Sequence, residues 1–212
     1  MSAPQQGRFT AALRRWLDAG GERVGEIAIR PDGRGGYRLT HHAQADAPPG
    51  TLTLFHQPGE ARRLAMDDDA QAYRPLKTAA NLRHGWCLEV ADAEALRQAL
   101  DLFYPALFAL WLAREEGRLA VVPLRETLER QSGLYAVTRK VTDAGAQAAI
   151  ARCCRDARAR CLRTILWEIG PGQPVPAPDG ESPGLPLLCP EACNLLVAAI
   201  REEVKAHPPQ AL

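Results

Sequence analysis

Five of the six cysteines lie between residues 153 and 193, and proline controls how the chain connects them. They form two groups, one of Cys153, Cys154 and Cys161 and the other of Cys189 and Cys193. Between the groups, residues 170–188 contain six prolines, which exclude both a helix and a central strand. An irregular loop must therefore return the chain, and such a loop can place the two cysteine groups opposite each other.

The sequence around the first group predicts one long helix over residues 143–169. At about 100° per residue, Cys154 and Cys161 share one face of such a helix. Cys153 lies about 80° from Cys161 and fits less well, but the doublet leaves open which of its two cysteines faces inward.

The second group is predicted to begin another helix, over residues 189–206. Pro190 then occupies the first turn, where its missing N–H is tolerated. Cys189 and Cys193 lie one turn apart on the same face of this helix. Cys189 is also at the expected N-terminus, where the free N–H groups favour an anionic ligand by roughly 0.3–1 kcal/mol.

The chain is expected to be cytoplasmic, and its cysteines are therefore expected to be reduced. The first residues lack the unbroken apolar core of a secretory signal, and the most apolar stretch, residues 102–113, is shorter than the roughly 20 residues that span a bilayer. In a reducing compartment, clustered cysteines are metal ligands or redox groups more often than disulfides. The net charge of +1 gives no general electrostatic attraction to nucleic acid or to an anionic membrane.

Four thiolates from two pairs can bind an iron–sulfur cluster or Zn²⁺. Structural zinc sites usually place two to four residues between the ligands of a pair. The wider step from Cys154 to Cys161 favours a [4Fe-4S] cluster, with zinc as the alternative. Arginines around the first group either offset the negative charge of a cluster or form a solvated helix face. They are Arg152, Arg155, Arg158, Arg160 and Arg163.

The pattern of the whole chain predicts an α+β fold of two domains. Residues 1–75 are expected to form a small α/β domain with antiparallel strands, opened by a helix over residues 8–18. Residues 76–212 are expected to form a mostly helical domain that holds the iron–sulfur cluster. A long helix in this domain should start at Asp92 and bend at Pro105.

Short strands are predicted in the first part of the chain. The segments RVGEIAIR and GYRLTHH form a hairpin around PDGRGG, and TLTLFHQ and RHGWCLEVA add two further strands. His41 and His42 end the second of these strands. Since no carboxylate or cysteine is spaced to join them in binding a metal, they are expected at the surface.

Several segments together resemble a known family. They are YRPLKTAANLRHGW, LDLFYPALFALW, ERQSGLY, and the run from Cys153 through CLRTILWEI to CPEACNLLV. They are similar to the C-terminal region of long bacterial sirohydrochlorin cobaltochelatase (CbiX-type) proteins, in which a chelatase portion is followed by a stabilising domain and a [4Fe-4S] cluster-binding domain. The resemblance covers roughly residues 8–205.

The resemblance implies a [4Fe-4S] cluster held by three cysteines and one member of the doublet. The three are Cys161, Cys189 and Cys193, and the fourth is Cys153 or Cys154, of which helical phase favours Cys154. The implied function is that of a redox or accessory component of cobalamin or sirohaem-type tetrapyrrole synthesis. A chelatase or another tetrapyrrole-synthesis protein is the implied partner, and the electron donor or acceptor stays open.

No enzymatic activity is assigned from the sequence, because nothing in it supplies the paired metal-binding histidines of the chelatase portion. The alternative function is a non-enzymatic module whose four-cysteine centre, iron–sulfur or zinc, is structural and mediates protein interaction. Arg74, Lys77 and Arg83 are candidates for binding the carboxylates of a tetrapyrrole, because arginine pairs with carboxylates bidentately. The alternative for these three residues is a loop that caps helices and packs a domain junction.

Overall fold

The computed structural model describes residues 3–48, 50–65, 82–155, 161–175 and 184–207. These residues divide into two units, each with its own apolar core. The first unit contains the described residues up to 118 together with the segment 184–187. The second unit contains the described residues 119–175 and 188–207.

A five-stranded sheet, as far as the described residues show, forms the centre of the first unit in the order β1-β2-β3-β5-β4. Its strands are β1 (Arg23–Val24), β2 (Ile27–Pro31), β3 (Tyr37–His41), β4 (Thr53–Phe55) and β5 (Trp86–Val90). Neighbouring strands are antiparallel, except that β4 runs parallel to β5. The predicted hairpin is confirmed as β2 and β3, with Ile29 opposite Leu39.

Helices of the first unit pack their apolar sides together and against this sheet. They are α1 (Ala3–Asp18), α2 (Ala61–Leu64), α3 (Ala93–Phe103) and α4 (Leu107–Glu115). Asp92 begins α3 as its N-cap, accepting hydrogen bonds from the N–H groups of Glu94 (2.9 Å) and Ala95 (2.8 Å). Leu100 and Phe103 of α3 are completely buried, and the Phe103 ring stacks on Trp86 of β5 with centroids 5.3 Å apart.

Pro105 divides the predicted long helix into α3 and α4 rather than bending one continuous helix. A proline removes a helical hydrogen bond and pushes the preceding residue out of helical geometry. Tyr104 accordingly has φ −130° and ψ 84°, and Ala106 adopts the left-handed conformation with φ 66° before α4 begins.

The second unit is mostly helical around its own apolar core. Its elements are α5 (Leu124–Glu129), a 3-10 segment (Gly133–Lys140), α6 (Asp143–Ile150), a π-helical turn (Ala151–Arg155), β6 (Arg163–Ile165), β7 (Leu187–Cys189) and α7 (Asn194–Ala206). Strands β6 and β7 pair as a short two-stranded sheet. Leu124, Trp167, Leu196 and Ile200 are among the buried residues of this core.

The predicted α+β class is confirmed, with the strand-rich part first and the helical part second. The division between the units falls between residues 118 and 119, whereas composition predicted a division between residues 75 and 76. Strand β5 accounts for the difference, because it pairs with β3 and β4 and carries α3 behind it. Within the described ranges, no helix has both the length and the apolar character needed to cross a membrane.

Replacing Glu94 by Gln should lower stability in a pH-dependent way. Glu94 accepts hydrogen bonds from the buried Arg97 (2.7 Å) and from Thr10, and the Arg97 bond is the main reason that its pKa falls from 4.5 to about 2. We expect a loss of about 1 kcal/mol at pH 7, at the low end for hydrogen bonds to charged groups because the Glu94 side chain is partly exposed.

Proton linkage gives the direction in which the contribution of Glu94 to stability changes with pH. Because folding lowers this pKa, the stabilisation is present above pH 4.5 and is lost as the pH falls towards 2. Urea unfolding of wild type and Glu94→Gln should therefore differ at pH 7 and converge in acid. Glu115→Gln, a change at an exposed helical glutamate, is the control. A constant difference between pH 7 and pH 3 would contradict this assignment.

Candidate metal centre

The five clustered cysteines come from three separate segments of the second unit. Cys153 and Cys154 lie in the π-helical turn that follows α6, and Cys161 lies in extended chain just before β6. Cys189 ends β7, and Cys193 is the N-cap of α7. All five side chains are partly buried. The remaining cysteine, Cys87, is buried in β5 of the first unit.

Hydrogen bonds hold the cysteine segments in place. The π-helical turn is tied to α7 because Arg152 donates to the carboxylate of Glu203 (3.0 Å) and to the carbonyl of Ala199 (3.3 Å). Near β7, Arg163 donates to the carbonyl of Leu188 (2.8 Å), and the Leu166 N–H donates to the carbonyl of Cys189 (3.1 Å). Arginine side chains and one backbone hydrogen bond therefore fix the segments that carry these cysteines.

The segment between Cys189 and Cys193 is anchored to the start and side of α5. The Val122 N–H donates to the carbonyl of Pro190 (3.0 Å), and Arg130 donates to the carboxylate of Glu191 (2.5 Å). Ala192 is buried in the core of the unit. Residues 190–192 are accordingly irregular, with bends at Pro190 and Glu191, and the helix starts only after Cys193.

Four of the thiols influence one another electrostatically. Cys154 responds to the charges of Cys161 and Cys193, and Cys161 responds to those of Cys189 and Cys193. Cys189 in turn responds to Cys193. Cys153 is hydrogen bonded to Cys154, and the charge that acts on Cys153 is that of Arg152. These effects link Cys154, Cys161, Cys189 and Cys193 to one another, and Cys153 is linked to them through Cys154.

Burial and neighbouring thiols raise the pKa of Cys154, Cys161 and Cys189. Burial is the main cause that raises the pKa of Cys161 to about 11 and that raises the pKa of Cys189. The pKa of Cys154 is raised first by its hydrogen bond to Cys153, then by burial and by the neighbouring thiols. The same hydrogen bond lowers the pKa of Cys153.

The donor set fits a [4Fe-4S] cluster, which is held by four cysteine thiolates. Within the described residues, no three cysteine sulfurs lie within 4.8 Å of one another. Four sulfurs on a single zinc ion, each about 2.3 Å from the metal, would be only about 3.8 Å apart. The described sulfurs are therefore not at the spacing of a single four-cysteine zinc site.

Groups around the sulfurs favour negative charge there. The indole N–H of Trp167 donates to Cys189 Sγ (3.5 Å), and a backbone hydrogen bond from Arg163 reaches Cys161. The positive charge of Arg163 acts on both Cys161 and Cys189. Cys193 stands at the N-terminus of α7, where the helix dipole favours an anion. Such hydrogen bonds and charges stabilise a thiolate-bound cluster.

Two helical predictions for the cysteines are wrong. The helix predicted over residues 143–169 ends as an α-helix at Ile150, and Cys161 is not on a helix with Cys154. The β-branched Thr164 and Ile165 pair instead with β7, because strand pairing outweighs a modest helix propensity. The grouping of Cys154 with Cys161 therefore comes from tertiary folding and not from helical phase.

The second helix begins at Asn194 and not at Cys189. Pro190 is thus outside the helix, and Cys189 and Cys193 do not share a helical face. The position at the helix N-terminus, which the sequence assigned to Cys189, belongs to Cys193. The reason is the tertiary contacts of residues 190–192 described above.

The other predicted residues have mixed outcomes. Arg74 and Lys77 lie outside the described residues, as do Arg158 and Arg160. Arg83 is half-buried just before β5, and its carbonyl accepts the indole N–H of Trp86 (2.5 Å). Carboxylate binding by Arg74, Lys77 and Arg83 stays a prediction.

Trp167 was not singled out from the sequence, although it lies close to a cysteine of the centre. It follows Cys161 in the segment CLRTILWEI, which was read as helix. Read as a strand, the same segment alternates side chains across its two faces. The position of Trp167 six residues after Cys161 could have marked it as a neighbour of the cysteine centre.

Two family models match the chain. Residues 7–115 match the DR2241 stabilising domain, and residues 116–202 match a 4Fe-4S iron-sulfur cluster binding domain. The boundary between these two matches lies close to the division between the two structural units. The second match contains all five clustered cysteines and supports a [4Fe-4S] cluster as the cofactor.

The structure is similar to the crystal structure of DR2241 from Deinococcus radiodurans, with a TM-score of 0.76 and 32% sequence identity. DR2241 is described as a multi-domain protein with structural similarity to chelatases and with two additional novel domains. The similarity covers 96% of this chain and 42% of DR2241, so the chain spans less than half the length of that protein. Among curated proteins, none matches the chain significantly.

Serine substitutions should separate the two cysteines of the doublet. We expect Cys154→Ser to lose nearly all bound iron and acid-labile sulfide, because Cys154 belongs to the group of four interacting thiols. Cys153→Ser, the matched control one residue away, should keep both. Iron and sulfide are measured on protein purified without oxygen, together with the absorption spectrum. Iron loss in Cys153→Ser with retention in Cys154→Ser would reverse the assignment.

Proposed function

We propose that this chain is a redox or accessory protein of cobalamin or sirohaem-type tetrapyrrole synthesis. The chain belongs to the family of proteins that join a DR2241 stabilising domain to a 4Fe-4S iron–sulfur cluster binding domain. The observation that carries the proposal is the grouping of Cys154, Cys161, Cys189 and Cys193 beside N–H donors and a helix N-terminus. The four cysteines hold a [4Fe-4S] cluster, which when bound supplies single-electron transfer.

Two residues beside the cysteines tune the reduction potential of the site. Trp167 is 2% exposed and donates its indole N–H to Cys189 Sγ. Arg163, fixed on the carbonyl of Leu188, adds a positive charge close to Cys161 and Cys189. Both residues favour the more negative state of the site, and so both raise its reduction potential.

A chelatase is the partner that we propose. DR2241, of which this chain covers 42%, is described as having structural similarity to chelatases. In this proposal the chelatase inserts the metal into the tetrapyrrole, and the present chain supplies an electron or supports the chelatase structurally. No catalytic residue for metal insertion is assigned to this chain.

A structural role of the cluster is the second candidate function, and one observation favours it. Cys153, Cys154, Cys189 and Cys193 pack directly against the apolar core of the second unit. A cluster that joins three segments at the edge of this core stabilises the folded state in the way that structural metals do. The two roles differ in whether the bound cluster changes oxidation state reversibly.

Replacing Trp167 by Phe tests the redox role. We expect the variant to keep its cluster but to have a lower reduction potential, because the N–H···S hydrogen bond is lost while the aromatic packing is largely kept. The measurement is an anaerobic reductive titration followed by electron paramagnetic resonance. Trp111→Phe, in the first unit, is the control and should leave the potential unchanged.

The titration also decides between the two functions. Reversible one-electron cycling of the wild-type protein supports the redox role. A cluster that cannot be reduced, or whose reduction unfolds the second unit as judged by circular dichroism, supports the structural role and rejects electron transfer.

The partnership with a chelatase predicts a complex and a change in rate. We expect the cluster-loaded chain to co-elute with a CbiX-type chelatase portion in anaerobic gel filtration and to increase its rate of cobalt insertion into sirohydrochlorin. The cluster-free Cys189→Ser variant is the matched comparison. If neither form binds the chelatase or alters its rate, the chelatase is not the partner.

A further inference from the structure

A second group of metal-binding side chains lies in the first unit, at the ends of β2 and β3. Within the described part of the chain, Glu26, His41 and His42 are the three residues whose ligand atoms lie within 4.8 Å of one another. None of them contributes to the cysteine centre, and the inference drawn from them is independent of the proposed function.

Strand register creates this group. Ile27 is opposite His41 in the β2–β3 hairpin, and the N–H of His42 donates to the carbonyl of Glu26 (2.7 Å). Glu26 therefore stands beside two histidines that are far from it in sequence. The expectation that no carboxylate joins His41 and His42 is wrong for this reason.

Glu26 is buried and held in a fixed position. It is 8% exposed, and its Oε2 accepts the N–H of Leu82 (2.9 Å). Its own N–H donates to the hydroxyl of Tyr104 (2.9 Å), which is 1% exposed. The second carboxylate oxygen, Oε1, faces His41 Nε2 at 3.7 Å. A buried carboxylate is costly unless a positive group lies against it.

The histidine rings are also held in place. His41 is 4% exposed and stacks on His42, with ring centroids 4.7 Å apart, and on His84, at 4.0 Å. Its Nδ1 accepts the N–H of Ala43 (3.1 Å), which turns Nε2 towards Glu26. Burial, followed by the charge of Arg23, lowers the pKa of His42.

The distance between His41 Nε2 and Glu26 Oε1 is close to that of two ligands on one metal ion. At 3.7 Å the Nε2–Oε1 separation exceeds the 3.2 Å limit of an ordinary N–H···O bond. Two ligand atoms on one tetrahedral zinc ion, each about 2.0–2.1 Å from it, lie roughly 3.3 Å apart. A small inward movement of either side chain gives that spacing.

We propose that Glu26, His41 and His42 bind one divalent first-row transition metal ion, for which Zn²⁺ is the probe. Two imidazoles and one carboxylate are a familiar donor set for zinc, with the remaining position left to water. When the ion binds Nε2 of His41, the ring proton moves to Nδ1. The N–H of Ala43, an exposed residue, then turns to water for its hydrogen bond.

Zinc titration of the cluster-loaded, full-length chain tests this site. Isothermal titration calorimetry is carried out without oxygen, and bound iron is measured before and after. We expect one zinc ion to bind saturably to the wild-type protein. His42→Ala should weaken binding at least tenfold while leaving the iron content unchanged.

A matched histidine provides the control. His56 lies in the same unit near Glu89, at 3.7 Å, but both side chains are well exposed and no second histidine joins them. His56→Ala should bind zinc like the wild type. Glu26→Gln, which keeps the side-chain size and the bond from Leu82, serves as a second site variant and should also weaken binding at least tenfold.

Three results would overturn the proposal. The first is the absence of saturable zinc binding to the wild-type protein. The second is unchanged zinc affinity in both His42→Ala and Glu26→Gln, with circular dichroism showing both variants folded. The third is zinc uptake that accompanies an equal loss of iron, which assigns the bound zinc to the cysteines.

Discussion

The mutual proximity of partly buried thiols is the constraint on which the second unit depends. Each additional thiolate raises the cost of ionising the others, and burial removes the water that would screen them. A cationic iron–sulfur core removes this cost, because its positive charge stabilises several neighbouring thiolates at the same time. The irregular structure around the cysteines follows from the same requirement, since each segment has to end where its sulfur reaches a common centre.

Secondary structure near the centre is correspondingly short. The π-helical turn that carries the cysteine doublet follows α6, β6 begins just after Cys161, and α7 begins just after Cys193. These segments are held by hydrogen bonds between backbone groups or from arginine. The adjacent apolar core, against which four of the five cysteines pack, keeps water away from part of the site.

The first unit meets a related constraint in a different way. Its sheet carries a buried carboxylate, Glu26, among the rings of His41 and His42, and a tyrosine hydroxyl and a backbone N–H hold it there. In both units, charged or ionisable groups are buried only where the surrounding structure supplies several partners for them. Such places are the natural candidates for bound ions, whether a cluster on thiolates or a single metal on imidazole and carboxylate.

The sequence by itself pointed to a cysteine-ligated [4Fe-4S] cofactor and determined the α+β class, with the strand-rich part first and the helical part second. The two cysteine groups point to a metal centre even where the predicted helices are wrong. The proline-rich segment between the groups must be irregular, and such a loop can bring the two groups together. The hairpin, the start of α3 at Asp92 and the interruption at Pro105 were also predictable, since turn residues, N-caps and proline act on their immediate neighbours. Tertiary structure alone decided that Cys161 lies beside a strand, that Cys193 is the N-cap of α7, and that Glu26 lies beside two histidines. Each of these depends on hydrogen bonds between residues far apart in the chain, and such pairing energies outweigh the local propensities that a sequence displays.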